Sequence, residues 1–157
     1  VQRRQFLVGS LGLASVAALP RLAVAATSDF DGPIRWQSWE AASKPGRGPK
    51  QAICLVLYAD WCPHCHELAP AWRDDGVVKL SAGLHMVHQN VDERPEWLQR
   101  QYGRFGSYVP RVLFLRPDLT VMSEVTSGNP RFPYFYQPHR LDALRSAMTK
   151  AAATVKG

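Results

Sequence analysis

Cys62 and Cys65 stand three residues apart in Trp61-Cys62-Pro63-His64-Cys65, a spacing suited to thiol chemistry. Three residues is about one helical turn, so a pair placed at the start of a helix has its sulfurs close enough to bond. Disulfide exchange needs a thiolate, and a helix N-terminus favours one through its unpaired N–H groups and the positive end of its dipole. Cys62 is therefore expected to be the exposed attacking sulfur, and Cys65 the more deeply buried sulfur that resolves the mixed disulfide. Pro63 and His64 lie between them. A protonated His64 beside Cys62 favours the thiolate further, which makes Cys62 a better leaving group and its disulfide less stable. The pair thus leans toward an oxidant, with Trp61, Pro63 and His64 as the residues that tune it. Cys54, the third cysteine, sits in an apolar run and reads as a small core hydrophobe.

Two rival chemistries share these residues. Cys62 and Cys65 with His64 or His66 would make a cramped zinc ligand set, and no second cysteine pair completes it. Cys62-Pro63-His64-Cys65-His66 is also the covalent haem-attachment pattern. Against haem, the motif follows a strand-like apolar run, whereas such haem proteins are mainly helical, and the distal ligand would have to be Met86, itself on a predicted strand. No metal and no cofactor are expected.

The elements that must position the pair follow from pattern. Ala52 to Tyr58 is continuously apolar and rich in branched and aromatic residues, which predicts a strand buried on both faces. The segment from Pro63 to Trp72 suits a helix, with Pro63 at a tolerated first position and Pro70 as a kink. Upstream, Trp36, Trp39 and Ala42 predict a helix over 37–43, and the Pro- and Gly-rich stretch 44–50 predicts a loop. Downstream, strands are expected over 84–91, 111–115 and 120–125, with a turn at Arg116-Pro117-Asp118-Leu119. A short helix is expected over 96–102 and an amphipathic one over 141–153. Alternating strands and helices that end in a hairpin and a helix predict an α/β sandwich with a mixed sheet of four to five strands flanked by helices.

Length and composition allow one domain: 157 residues, 46% of them hydrophobic. The formal charge of +6 falls to +3 once Arg3, Arg4 and Arg21 are set aside. With no basic run interleaved with aromatics, nucleic acid is not an expected partner. Those three arginines flank an uncharged apolar stretch that ends in Ala23-Val24-Ala25, so residues 1–25 are expected to be a cleaved signal peptide. Its apolar run is shorter than the ~18 residues of a membrane span, so no stable membrane insertion is expected after cleavage. Arg3-Arg4-Gln5-Phe6-Leu7 resembles a twin-arginine export signal. Residues 26–35 then form a turn-rich leader, 36–153 the domain and 154–157 a tail. The expected location is the periplasm, where a disulfide persists.

Tyr58-Ala59-Asp60-Trp61-Cys62-Pro63-His64-Cys65-His66-Glu67-Leu68-Ala69-Pro70 resembles the thioredoxin superfamily. The resemblance implies a thioredoxin-like fold, catalysis by Cys62 and Cys65, and a cis bond at Val109-Pro110 that faces the dithiol and receives the substrate backbone. Further on, Tyr108 to Pro117, Gly128-Asn129-Pro130 and Tyr134-Phe135-Tyr136 resemble the small thioredoxin-domain proteins of the endoplasmic reticulum, the anterior-gradient group and its C-x-x-C-bearing relative. Ala153-Thr154-Val155-Lys156-Gly157 is no retention tetrapeptide, so the reticulum location does not carry over. Thioredoxin's buried acid, six residues before the first cysteine, is Val56 here, which argues against fast reductase chemistry. The Pro63-His64 dipeptide is that of the DsbA-type oxidases. Together these imply a thiol–disulfide oxidoreductase whose partners are cysteine-containing exported proteins and a membrane redox protein that recycles the dithiol. The alternative is a chaperone-like binding module gripping partners through the Pro110 loop and residues 132–136.

Overall fold

The computed structural model describes residues 28–46 and 50–155, so the expected signal peptide lies outside the described residues. Trp36–Gln37 forms β1, pairing in parallel with Met86 and Val87. Ser38 then caps helix α1, Trp39–Ser43, by accepting the Ala41 amide. The helix expected from residue 37 thus starts two residues later, because Gln37 is held in the sheet and serine favours the cap position. β2, Ile53–Tyr58, follows the loop, and helix α2, Pro63–Leu68, follows β2.

The helix expected to reach Trp72 stops at Leu68 and tightens into a 3₁₀ turn over Ala69–Arg73. Pro70 has no amide to donate and its ring crowds the carbonyl of His66, so α-helical bonding cannot pass it. Helix α3, Asp75–Ser81, was not foreseen, although its signal is in the chain: Asp74 caps it by accepting the Val77 amide. β3 is His85–Asn90. The short helix expected over 96–102 is a π-helical turn, Leu98–Tyr102, followed by a 3₁₀ turn at Gly103–Phe105. β4 is Arg111–Leu115 and helix α4 is Leu141–Thr154.

The four strands lie in the order β1-β3-β2-β4, with β2 parallel to β3 and antiparallel to β4. The fourth strand expected over 120–125 does not form, and β1, which the pattern did not predict, completes the four-stranded sheet instead. After the turn, Val121 makes one isolated bridge to Leu115, and Met122 and Val125 then turn inward to the core. Burial of those two side chains outweighs continued pairing at the sheet edge.

β2 carries the site at its C-terminal end and is paired on both sides. Its alternation divides the interior: Cys54 and Val56 face a cluster with Leu68, Trp72, Leu144 and Met148, while Ile53, Leu55 and Leu57 face Trp39, Leu98 and Tyr102. The segment just before β1 is packed rather than loose, with Phe30 and Ile34 buried in the first cluster.

Candidate active site

Chain direction brings Cys62 to the end of β2. A turn closed by the Cys62 amide on the Ala59 carbonyl (3.1 Å) places Cys62 at the N-cap of α2, with Pro63 in the first turn. The Cys65 amide donates to Cys62 Sγ at 3.2 Å. Cys62 and Cys65 are joined by a disulfide, with Cα atoms 5.3 Å apart. An N–H aimed at a sulfur stabilises negative charge on it when the bond opens, so the geometry suits Cys62 as the thiolate.

The expected contrast in exposure is not found. Cys62 is 3% exposed and Cys65 6%, so both are buried and Cys62 is marginally the deeper. Neighbours explain this: Tyr58, Val91 and Val109 pack over the cluster that Ala59, Cys62 and Cys65 make. Val109 belongs to the second motif, and the Val109-Pro110 bond is cis. The two motifs, far apart in the chain, therefore meet at the disulfide.

The remaining expected residues divide. Trp61 is 67% exposed and anchored by its indole N–H, which donates to Asp92 Oδ2 at 2.7 Å. His64 Nδ1 lies 2.9 Å from Glu67 Oε2, and its ring meets Phe135 edge-on, 5.7 Å between centroids. His64 is thus turned to Glu67, and no hydrogen bond links it to either sulfur among the described residues. Cys54 is fully buried, and burial pushes its thiol far up from the ordinary value.

Asp29, Asn90 and His88 were not singled out from the sequence, and His66, raised there only as a possible metal or haem ligand, has another role. His66 Nδ1 pairs with Asp29 Oδ2 at 2.6 Å and its Nε2 with the Asp60 carbonyl at 2.8 Å. Both partners are acceptors, so only the imidazolium satisfies both. The Asp60 carbonyl first, then Asp29, raise the His66 pKa. Asn90 Nδ2 donates to Asp60 Oδ2 at 2.8 Å, tying β3 to the turn before Cys62. Val56, where thioredoxin has its acid, is buried between Val112 and His88 in the sheet register. The His88 ring stacks on Phe30 at 4.2 Å, and burial lowers its pKa, with Glu93 opposing. Only the strand register could have placed His88 there. Among the described residues, no group of three His, Cys, Asp or Glu side chains is placed to hold a metal ion.

The chain is similar to known proteins in sequence and in fold. Residues 35–117 match the thioredoxin-like family. Anterior gradient protein 2-B of Xenopus laevis is 26% identical over 125 residues, 78% of this chain and 74% of that protein. The human anterior gradient protein 2 homolog is 24% identical over 142 residues, 87% of this chain and 77% of that protein. Among solved structures, DsbH oxidoreductase superposes with a TM-score of 0.54 at 16% identity, covering 87% of this chain and 94% of that one. A thioredoxin from Thermus thermophilus gives 0.53 at 22%, covering 78% and 93%. A family match over more than half the chain, a mixed sheet flanked by helices and a cysteine pair capping α2 beside a cis-proline agree, and the chain belongs to the thioredoxin-like family, resembling the anterior gradient proteins within it.

Proposed function

We propose that the protein is a thiol–disulfide oxidoreductase acting on exported proteins, with Cys62 as the sulfur attacked by substrate and Cys65 as its disulfide partner, which resolves the mixed disulfide when the exchange runs in reverse. The observation that carries this reading is the Cys65 amide donating to Cys62 Sγ at the N-cap of α2, beside Val109 and the cis Pro110. A substrate thiolate attacks Cys62 Sγ, the Cys62–Cys65 bond breaks, and Cys65 leaves as a thiolate. The substrate's second thiolate then attacks its own sulfur in the mixed disulfide and expels Cys62. The substrate loses two electrons and the protein gains them, to be passed to a membrane redox partner.

The oxidase direction rests on two features. Val56 stands where thioredoxin has the buried proton acceptor that assists reduction, and the Cys65 amide favours the Cys62 thiolate while Pro63-His64 is the dipeptide of the DsbA-type oxidases. Location in the periplasm rests on the twin-arginine-like sequence of residues 1–25. No helix among the described residues is long and apolar enough to cross a membrane.

Oxidation of a reduced dithiol peptide by the disulfide form tests the direction, and Cys65→Ser offered the same peptide as its disulfide tests the site, because the Cys62 thiolate attacks that disulfide and the protein has no second thiol beside it to expel the peptide. Mixed disulfides at Cys62 are expected. Exposed Trp61 and Phe132 favour a second reading, a binding module that grips apolar segments without exchange. Such a module would bind the same peptides, give no covalent complex and leave their thiols reduced.

A further inference from the structure

Arg111 immediately follows cis Pro110 on β4, and it is 5% exposed. Its register opposite Leu57 turns the side chain to the face of the sheet that holds Leu98. One terminal nitrogen donates to the Gly106 carbonyl, while Nε has no hydrogen-bond partner. No carboxylate pairs with the guanidinium among the described residues. Arginine does not shed its proton, and although the Tyr108 ring faces the guanidinium at 5.9 Å, burial leaves the positive charge without a carboxylate counter-ion, an arrangement proteins generally avoid.

That charge borders open space. A cavity of about 390 Å³ is lined by Arg111, Arg94, Ser107, Gln99, Leu98 and Val91, with no acidic side chain in its wall. Val91 lines this cavity and also packs against the cluster of Ala59, Cys62 and Cys65, so one side chain separates the two. The acids nearest Arg94 in sequence are engaged elsewhere: Asp92 with the Trp61 indole, Glu93 with Gln89 and Glu96 with Arg100. Arg94 is exposed and sits in the left-handed region at φ 49°, adding a second cation at the rim.

We propose that this cavity is a carboxylate subsite for the thiol substrate, in which Arg111 and Arg94 receive an acidic group next to the reacting cysteine while Leu98 and Val91 cover its methylene stem. The inference rests on the oxidoreductase reading and adds a substrate class to it. Guanidinium and carboxylate match in a paired, charge-assisted geometry, and the desolvated setting of Arg111 strengthens the bond. The shared chemistry has two sources, an acidic residue flanking a cysteine in a polypeptide or the carboxylate of a low-molecular-weight thiol.

The test measures the second-order rate constant with which the disulfide form of the full chain oxidises, in a single turnover, two dithiol peptides that differ only in Glu or Gln beside the reactive cysteine. Glutathione and its diester form a second pair. In at least one pair the acidic member is expected to be favoured about tenfold or more, the size of a charge-assisted hydrogen bond. Preference within the peptide pair assigns a polypeptide source, and preference within the glutathione pair a small thiol. Arg111→Gln should bring the favoured ratio to about one and Arg111→Lys should restore part of it. Arg94→Gln, a surface change that does not threaten folding, should reduce it by about threefold. A wild-type ratio of one in both pairs overturns the subsite and leaves the oxidoreductase reading standing. So does an Arg111→Gln protein that slows both members equally, which would make Arg111 only a tie to the Gly106 loop. No turnover of any substrate overturns the oxidoreductase reading, and the subsite falls with it.

Discussion

Cys54 and Cys62 are both buried, one within β2 and the other just beyond its end, and their settings differ in kind. Around Cys54 the strand's amides are used by the ladders to β3 and β4, and the thiol faces the apolar cluster of Val56, Phe114 and Tyr136. Nothing there stabilises a thiolate, and desolvation raises its pKa. Around Cys62 the chain has left the sheet, α2 begins, and the Cys65 amide points at the sulfur. The lesson is that exposure does not separate an inert cysteine from a reactive one here. What separates them is an N–H left unused by the sheet, and a cover made of side chains and a loop rather than of paired strands.

The strongest way to break that comparison is substitution. Cys62→Ala is expected to lower dithiol oxidation by at least about a thousandfold, as loss of a nucleophile does. Cys54→Ser should leave kcat/KM within about twofold and cost about 1–3 kcal/mol in urea unfolding, because a hydroxyl replaces a thiol in an apolar cluster. Comparable losses of activity in both variants would end the distinction.

Alkylation of the reduced protein sharpens it. At pH 6.5 Cys62 should react faster than Cys54 by about a hundredfold or more, read by mass spectrometry of the labelled peptides. Labelling at equal rates would mean that the helix terminus contributes nothing.

A smaller effect is expected from His64, which faces Glu67 in the disulfide form. If it turns to the thiolate on reduction, His64→Gly should lower the reduction potential by up to about 30 mV, equivalent to a tenfold change in the equilibrium. A potential unmoved by His64→Gly, in equilibrium with glutathione, would remove His64 from the groups that tune the site and leave the Cys65 amide, Pro63 and Trp61.

The smallest effect belongs to the outer face of α2. His66 has a raised folded-state pKa, so its contribution is fully present below the unfolded value of about 6.5 and is lost as pH rises through the folded value. The contact that weakens is the one to Asp29, next to buried Phe30. Hydrogen exchange at residues 29–31 should therefore quicken with pH beyond the intrinsic rise, and Asp29→Asn should abolish that excess.

Local signals were legible where one segment contains its own cause. Cys62, Pro63 and Cys65 declare a helix start, Ala52 to Tyr58 declares a buried strand, and the apolar stripe of Leu144, Ala147 and Met148 declares α4. The cis Val109-Pro110 bond and its place at the disulfide came from resemblance rather than from pattern. Expectations failed where segments compete. Thr120 to Val125 has strand composition, yet Met122 and Val125 gain more by entering the core than by pairing at an edge. The depth of Cys62 was misjudged because its cover comes from Tyr58, Val91 and Val109, whose approach no local pattern encodes.

The sequence by itself determined the cysteine pair, its helix terminus and the central strand that delivers it, because spacing, proline position and hydrophobic run act over a few neighbouring residues. Only the tertiary structure decided that Val109 lies on the disulfide, that His66 is held by Asp29, and that Arg111 is buried beside a cavity without a carboxylate. Each of these joins residues distant in the chain through strand register and packing. Such contacts follow from the sum of many small burial and pairing energies across the fold, not from the identity of any single residue.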